Sequence, residues 1–292
     1  MARAGRQLDL KGVFASAITP HRGALAEADF SGALDLVEFI GNGGVQGICL
    51  LGAAGEFLNY TFAERQRLVY LGAKRSRVPL MAGVSHSTLS GAIQAADEAV
   101  SAGADGLLLM PPYFFHYEQR EIEAFFLEFA REANDAVPLL IHNSPGTTTP
   151  LELVTVRKLI DSGLFAGVVD SGGEFGFFEE LLSLKPAAVF CGCDLIAKRA
   201  LDAGANGIFS DCACVAAKIA VGMSGGDSRA AEAFSELAEY VARFPAPVAI
   251  KRAVELRGQK SGLPLTPLAA ETRAALDEFS VWFKQWVVRV GA

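Results

Sequence analysis

A (β/α)8 TIM barrel with a C-terminal helical extension is the fold class that this sequence predicts, on three observations. First, one phrase recurs: Ser101-Ala-Gly103-Ala-Asp-Gly106-Leu-Leu-Leu-Met110, Gly41-Asn-Gly-Gly-Val-Gln-Gly47-Ile-Cys-Leu-Leu51, Asp161-Ser-Gly163-Leu-Phe-Ala-Gly167-Val-Val169 and Asp202-Ala-Gly204-Ala-Asn-Gly207-Ile-Phe209. In each, a glycine able to adopt the left-handed conformation stops a helix and a short strand follows. Second, the strands are continuous apolar runs, the mark of a parallel sheet covered on both faces. Third, the chain has 292 residues, 51% of them hydrophobic, and α/β barrels reach this length as one unit.

In order, Gly12–Thr19 reads as strand one, closed by Pro20, and Glu27–Ile40 as a helix with Phe30, Leu34 and Val37 at helical spacing. Gly47–Leu51 is strand two. Thr61-Phe-Ala-Glu64 is a capping box opening a helix to Arg75. Val78–Gly83 is strand three, and Ser87-Thr88 starts a helix ending at Gly103. Strand four is Gly106–Met110, followed by a helix over Glu118–Ala133 with Ile122, Phe125, Phe126 and Phe129 on one face. Strand five is Pro138–Asn143, then a helix over Leu151–Ser162. Strand six is Ala166–Asp170, then a helix over Phe175–Leu184. Strand seven is Ala187–Cys191, then a helix over Leu195–Ala203, and strand eight is Gly207–Ser210. Residues 1–225 thus make the barrel. Residues 226–292, with helices over Asp227–Arg243, Pro247–Arg257 and Thr272–Val288, make an extension packed on it.

The formal charge of −7 gives no overall attraction to nucleic acid. No apolar run is long enough to span a membrane, and the basic stretch Met1–Leu8 lacks the apolar segment of a secretory signal. Five cysteines, an odd number, fit a reducing compartment better than a disulfide framework. A cytoplasmic protein acting on or binding a small molecule is the expectation.

Chemistry in such barrels sits at the C-terminal ends of the strands. There the chain carries Thr19-Pro20, Gly52-Ala53-Ala54-Gly55-Glu56, Pro112-Tyr113, His142-Asn143-Ser144-Pro145 and Gly167-Val-Val169-Asp170. Together with the opening Gly12-Val-Phe and the late Pro245-x-Pro247-Val248, Lys251 and Leu263-Pro264-Leu265-Thr266-Pro267, this order resembles the dihydrodipicolinate synthase / N-acetylneuraminate lyase family from Gly12 to about Pro267. The resemblance implies a class I aldolase-type lyase or synthase that forms an imine with pyruvate or a related 2-keto acid, without a cofactor. It also implies a homotetramer built from dimers.

The functional positions of that family are not matched here. Val169 stands where the resemblance places the imine lysine, and His142 where it places a proton-transferring tyrosine. Ala53 and Ala54 replace two threonines of the loop that holds the substrate carboxylate. Phe114 replaces a tyrosine that reaches a partner subunit's site, and Gly146-Thr147-Thr148 leave no match for an arginine. No lysine lies in a predicted barrel strand, so imine chemistry is expected to be lost, and with it dihydrodipicolinate synthesis and sialic-acid cleavage.

What remains is open to several readings. His142 is the candidate general acid or base, with Asp170 beside it, or else a hydrogen-bonded residue filling a tyrosine's space. Ala53, Ala54, Tyr113, Val169 and Asp211 are the candidate substrate contacts, with Phe114 at the rim. Asp170, Asp194 and Asp211 follow strands six to eight; they are proton-transfer partners, ion ligands or structural carboxylates. Glu56 reads as structural, and His86 and His116 as loop residues. Cys191-Gly-Cys193 and Cys212-Ala-Cys214 form two pairs whose alternate residues would share a strand face; they are small core residues or a thiolate metal site, with no metal the expectation. Three functions follow: a lyase working without an imine, a non-catalytic metabolite-binding or scaffold homologue, and a metal-dependent lyase.

Overall fold

The computed structural model describes residues 8–23, 26–133, 136–262 and 264–292. Residues 1–7 of the basic N-terminus and Leu263 of the late motif lie outside them. Eight parallel strands close into a barrel: β1 Gly12–Ser16, β2 Gly47–Leu50, β3 Leu80–Gly83, β4 Gly106–Leu109, β5 Leu139–Asn143, β6 Gly167–Asp170, β7 Val189–Cys191 and β8 Gly207–Ser210. The helices between them are α1 Phe30–Gly41, α2 Phe62–Arg75, α3 Leu89–Ala102, α4 Gln119–Glu132, α5 Leu153–Asp161, α6 Phe175–Ser183 and α7 Ala197–Asp202. Then come α8 Ala213–Ser224, α9 Ser228–Val241, α10 Val248–Leu256 and α11 Ala270–Val290.

Local chemistry accounts for these bounds. The capping box of α2 forms: Thr61 accepts from the Glu64 N–H and Glu64 accepts from the Thr61 N–H. Gly103 ends α3 at φ +99°, a conformation that costs glycine nothing. Several bounds differ by one to three residues from the sequence reading, three of them for a visible reason. Helix α1 starts at Phe30 rather than Glu27, because Glu27–Ala28 pairs antiparallel with His21–Arg22 and Asp29 caps the helix through the Gly32 N–H. Strand β1 ends at Ser16, three residues early, as the chain bends toward Pro20. A 3-10 turn over Asp194–Ile196 takes up the start of the helix expected at Leu195.

Successive residues of each strand face opposite ways. Phe14, Cys49, Met81, Leu108, Leu140, Val169, Phe190 and Phe209 point inward and form one cluster, while Val13, Ile48, Leu80, Leu107, Ile141 and Val168 pack under the helices. Phe14 stacks on Phe209 with centroids 4.9 Å apart, and Phe190 meets both edge-on at 5.4 and 5.1 Å. Bulk at these positions is matched by glycine nearby. A Cβ on Gly47 would lie 2.3 Å from the Phe14 ring, and one on Gly207 would lie 1.9 Å from the Gly12 carbonyl oxygen at the β1–β8 seam.

The C-terminal helices cover the barrel on one side: α9 packs on α8, and α10 bridges α8 and α11. Phe279, Phe283 and Trp286 of α11 are fully buried, and Phe279 meets Tyr240 of α9 edge-on at 5.2 Å. A buried ion pair joins the extension to the barrel: the Lys251 ammonium of α10, 2% exposed, meets the Glu56 carboxylate in the loop after β2. Among the described residues no helix is long and apolar enough to cross a membrane.

Two stability outcomes follow. Gly207→Ala should lower unfolding stability in urea by about 1–3 kcal/mol through backbone overlap at the seam. Gly176→Ala, whose Cβ meets nothing within 4 Å, should leave stability unchanged or raise it. Lys251→Met should cost about 3 kcal/mol or more, because it strands the Glu56 carboxylate in a shielded site. Adding Glu56→Gln should recover most of that loss in the same assay; no recovery would mean that the pair is not what Lys251 contributes.

Candidate functional site

A cavity of about 290 Å³ opens at the C-terminal ends of the strands. Its floor is apolar, made by Leu108, Val169 and Phe209 above the aromatic cluster. One wall comes from α9, α10 and the turn between them, with Val241, Phe244, Pro247 and Ile250 facing in. The polar groups come from strand ends: Ser16 at the end of β1, His142 in β5 and Ser144 just after it, Ser171 after β6, Asp194 after β7 and Asp211 after β8. Among the described residues no lysine or arginine lines it.

The loop after β2 is held in a tight turn. Leu51 and Glu56 have left-handed φ values of +59° and +50°, and the Thr19 hydroxyl donates to the Gly55 carbonyl at 2.8 Å. This places Ala53 and Ala54 on the cavity wall, where they present only methyl groups. Val169, 0% exposed, sits in the floor and supplies no nucleophile.

His142 faces inward from β5, and its Nε2 lies 2.8 Å from the Ser171 Oγ. The hydroxyl fits because residue 192 opposite is glycine; a Cβ there would lie 2.2 Å from that oxygen. Burial alone lowers the His142 pKa to about 4, so the ring is neutral at physiological pH. It can accept a hydrogen bond from the Ser171 hydroxyl or donate one to it, according to tautomer.

Asp194 and Asp211 face one another across the β7–β8 end. The Asp194 Oδ2 accepts from the Cys212 N–H at 2.8 Å, and the Ser210 hydroxyl is a second partner of this carboxyl. Its Oδ1 is shielded and has no hydrogen-bond partner. Asp211 has the Ser16 hydroxyl as its partner. Burial first, and the Asp194 charge second, raise Asp211 to about 7; burial likewise raises Asp194.

Not all the predicted residues meet here. Ala53, Ala54, His142, Val169 and Asp211 do. Asp170 does not: strand alternation turns it outward, where its Oδ1 accepts from the Asn143 amide at 2.6 Å. Asn143 in turn accepts from the Leu151 N–H, so this pair fixes the entry to α5 rather than assisting His142. The expected Asp170–His142 partnership is corrected on that ground. Tyr113 is also outside the lining, set edge-on to Phe57 at 5.8 Å. Phe114 is 85% exposed on the outer surface. His86 stacks on Phe62 at 5.7 Å and bonds Thr88, away from the cavity.

The cysteines do not form a shared strand face. Cys193 follows β7, Cys212 stands at the N-cap of α8 and Cys214 lies in its first turn. Burial raises Cys49, Cys191 and Cys214 to about 12 and lifts Cys193 and Cys212 as well, which disfavours thiolates. Among the described residues no group of three or more His, Cys, Asp or Glu is disposed to hold a metal ion. Ser16, Ser144 and Ser171 were missed in the sequence. Ser16 and Ser171 were findable by parity, as each stands two residues beyond an inward-facing Phe14 or Val169.

The dihydrodipicolinate synthetase family model matches residues 9–284. A protein of Chloroflexus aurantiacus described as an uncharacterized DapA-like lyase is 29% identical over 285 residues, covering 91% of this chain and 94% of that one. The 4-hydroxy-tetrahydrodipicolinate synthase of Methanothrix thermoacetophila is 30% identical, covering 92% and 95%. Among solved structures, the 4-hydroxy-tetrahydrodipicolinate synthase of Methylacidiphilum fumariolicum superposes with a TM-score of 0.87 at 22% identity, over 97% of this chain and 99% of that one, a likeness of fold. With a barrel of this topology and a family match over nearly its whole length, the chain belongs to the dihydrodipicolinate synthetase family.

Proposed function

We propose that this lyase-family chain keeps the barrel-end cavity as a small-metabolite site and has given up imine chemistry. Proton transfer by His142 through Ser171, and by the Asp194–Asp211 pair, is the chemistry that remains. The observation that carries this reading is the absence of an amine from the lining. Val169 occupies the floor, and Lys251, the one buried lysine, is tied to Glu56 outside the cavity wall. A Schiff-base lysine has to reach the substrate carbonyl, whereas the Lys251 side chain is directed to Glu56 and does not line the cavity. Lys198 pairs with Asp202 on the outer surface and Lys218 is exposed.

Of the ligands the sequence suggested, a 2-keto acid suits this lining least, since nothing cationic receives its carboxylate. A metal-dependent lyase finds no support in the disposition of the acidic and sulfur groups. Non-catalytic binding is the second reading, favoured by a histidine held near pKa 4 and so a weak base. The architectural division at about residue 225, and a cytoplasmic location, belong to the same proposal; five unpaired cysteines support the latter. Homo-oligomerisation, as a dimer or tetramer, is supported by Phe114 and Phe115, which stand 85% and 64% exposed in edge-to-face contact at 4.9 Å.

Incubation with pyruvate and borohydride, followed by intact-mass analysis, should leave the protein mass unchanged while a lysine-bearing homologue is labelled. A stable adduct would overturn the reading, and peptide mapping would show which lysine serves. In solution, light scattering after size exclusion should give a dimer or tetramer, and Phe114→Ser with Phe115→Ser should shift it toward monomer. A monomeric parent protein would refute the assembly.

A further inference from the structure

We infer that Ser171 is a nucleophile activated by His142, and that the cavity takes small uncharged esters whose acyl group passes to the Ser171 oxygen. The inference deepens the proposed function, in which His142 moves a proton through Ser171, by naming the substrate class and the bond that is made.

The first support is geometry. The Ser171 Oγ lies 2.8 Å from the His142 Nε2, the reach at which an imidazole can take a hydroxyl proton. Among the described residues His142 is the only hydrogen-bond partner of that hydroxyl. Both residues line the cavity, so the pair is open to a ligand. Both are also fixed by the sheet. The register of β5 and β6 sets His142 beside Val169, and the Ser171 N–H extends the ladder by donating to the Asn143 carbonyl at 2.9 Å. Reacting groups carried on strands are held more closely than those on loops. Across from them, only a glycine at 192 leaves the hydroxyl its space, since a Cβ there would lie 2.2 Å from it.

The second support is the surroundings. Ala53 and Ala54 line the same cavity, and neither N–H has an acceptor among the described residues. That turn therefore offers donors to a carbonyl oxygen as it gains charge. Val241, Phe244, Pro247 and Ile250 give the acyl chain an apolar wall. With no lysine or arginine in the lining among the described residues, an anionic acyl group finds no counter-ion. A volume of about 290 Å³ lies at the small end of ligand pockets, roughly 300–1,000 Å³, and suits a short chain.

The reaction has two halves. In the first, the Ser171 Oγ bonds to the ester carbonyl carbon and its proton passes to the His142 Nε2. The bond from that carbon to the alcohol oxygen then breaks, and the alcohol leaves with the proton from Nε2. In the second, water bonds to the acyl carbon and gives a proton to Nε2. The carbon–Oγ bond breaks, Ser171 recovers the proton, and a carboxylic acid is released. Burial keeps the ring neutral, the form that accepts a proton, but leaves it a weak base, so turnover is slow and acylation is the step to observe.

The test is incubation of the full chain with phenylmethylsulfonyl fluoride and, separately, with p-nitrophenyl butyrate, read by intact mass and peptide mapping. The expected result is one sulfonyl or butanoyl group per chain, mapped to Ser171. Ser171→Ala should abolish the label, and His142→Gln should slow it about 100-fold or more, each at the Tm of the parent protein. Mapping in the parent protein decides the matter without either variant. An unlabelled parent, a label mapped elsewhere, or a folded His142→Gln protein labelled as fast as the parent would overturn the inference. A borohydride-trapped pyruvate adduct would overturn the proposed loss of imine chemistry and leave the Ser171 result to stand by itself. Absence of both kinds of adduct would overturn this inference alone.

Discussion

The stack of Phe14 on Phe209, closed by Phe190, is the contact on which the rest of this barrel depends. Three large rings fit inside eight short strands only because Gly47 leaves space beside Phe14, while Gly12 and Gly207 let the closing strands approach. Aromatic rings bury much area with few rotatable bonds, so the plug is both dense and stiff. It ends just below the strand termini and thereby fixes the cavity floor. Each inward residue one strand step further along becomes a wall residue: Phe14 leads to Ser16, Val169 to Ser171 and Phe209 to Asp211. Packing at the barrel centre thus decides which side chains meet the ligand.

Above that floor, the electrostatics depend on dehydration more than on charge count. His142 is neutral and the cysteines remain thiols for one reason, the cost of charge in a shielded space. The same cost raises the pKa of both aspartates. What results is a cavity whose variable charge is confined to one carboxyl pair, set against a wall without polar side chains. The extension that supplies this wall is tied to the barrel by Lys251 and Glu56, so the cavity's shape depends on a contact outside its lining.

The architecture was legible because it rests on local signals. The repeated glycine phrase marked helix ends, and Gly103 does adopt the left-handed cap that its position demanded. The inward place of Val169 was legible too, since it is one residue in a strand with a fixed alternation. That alternation also shows why Asp170 was misjudged: adjacent in sequence to Val169, it lies on the opposite face and serves Asn143. Asp194 was one of three acidic candidates, and its meeting with Asp211 depends on how β7 and β8 end side by side. Nor does local patterning reveal that Lys251 finds Glu56, since those residues meet only when the C-terminal helices dock. Tyr113 failed for a related reason: the loop after β4 turns it toward Phe57.

The position of the acidic pair bears on what a single substitution in the cavity floor could do. Placing a lysine back at 169 would restore an amine to the floor, in the same cavity as Asp194 and Asp211. There the carboxyls would hold it as ammonium, and an ammonium has no lone pair to offer a carbonyl. Reversal by that single substitution would thus yield an internal salt bridge rather than a working aldolase. An amine at position 169 would thus need a change at the β7–β8 strand ends beside it before it could work as a nucleophile.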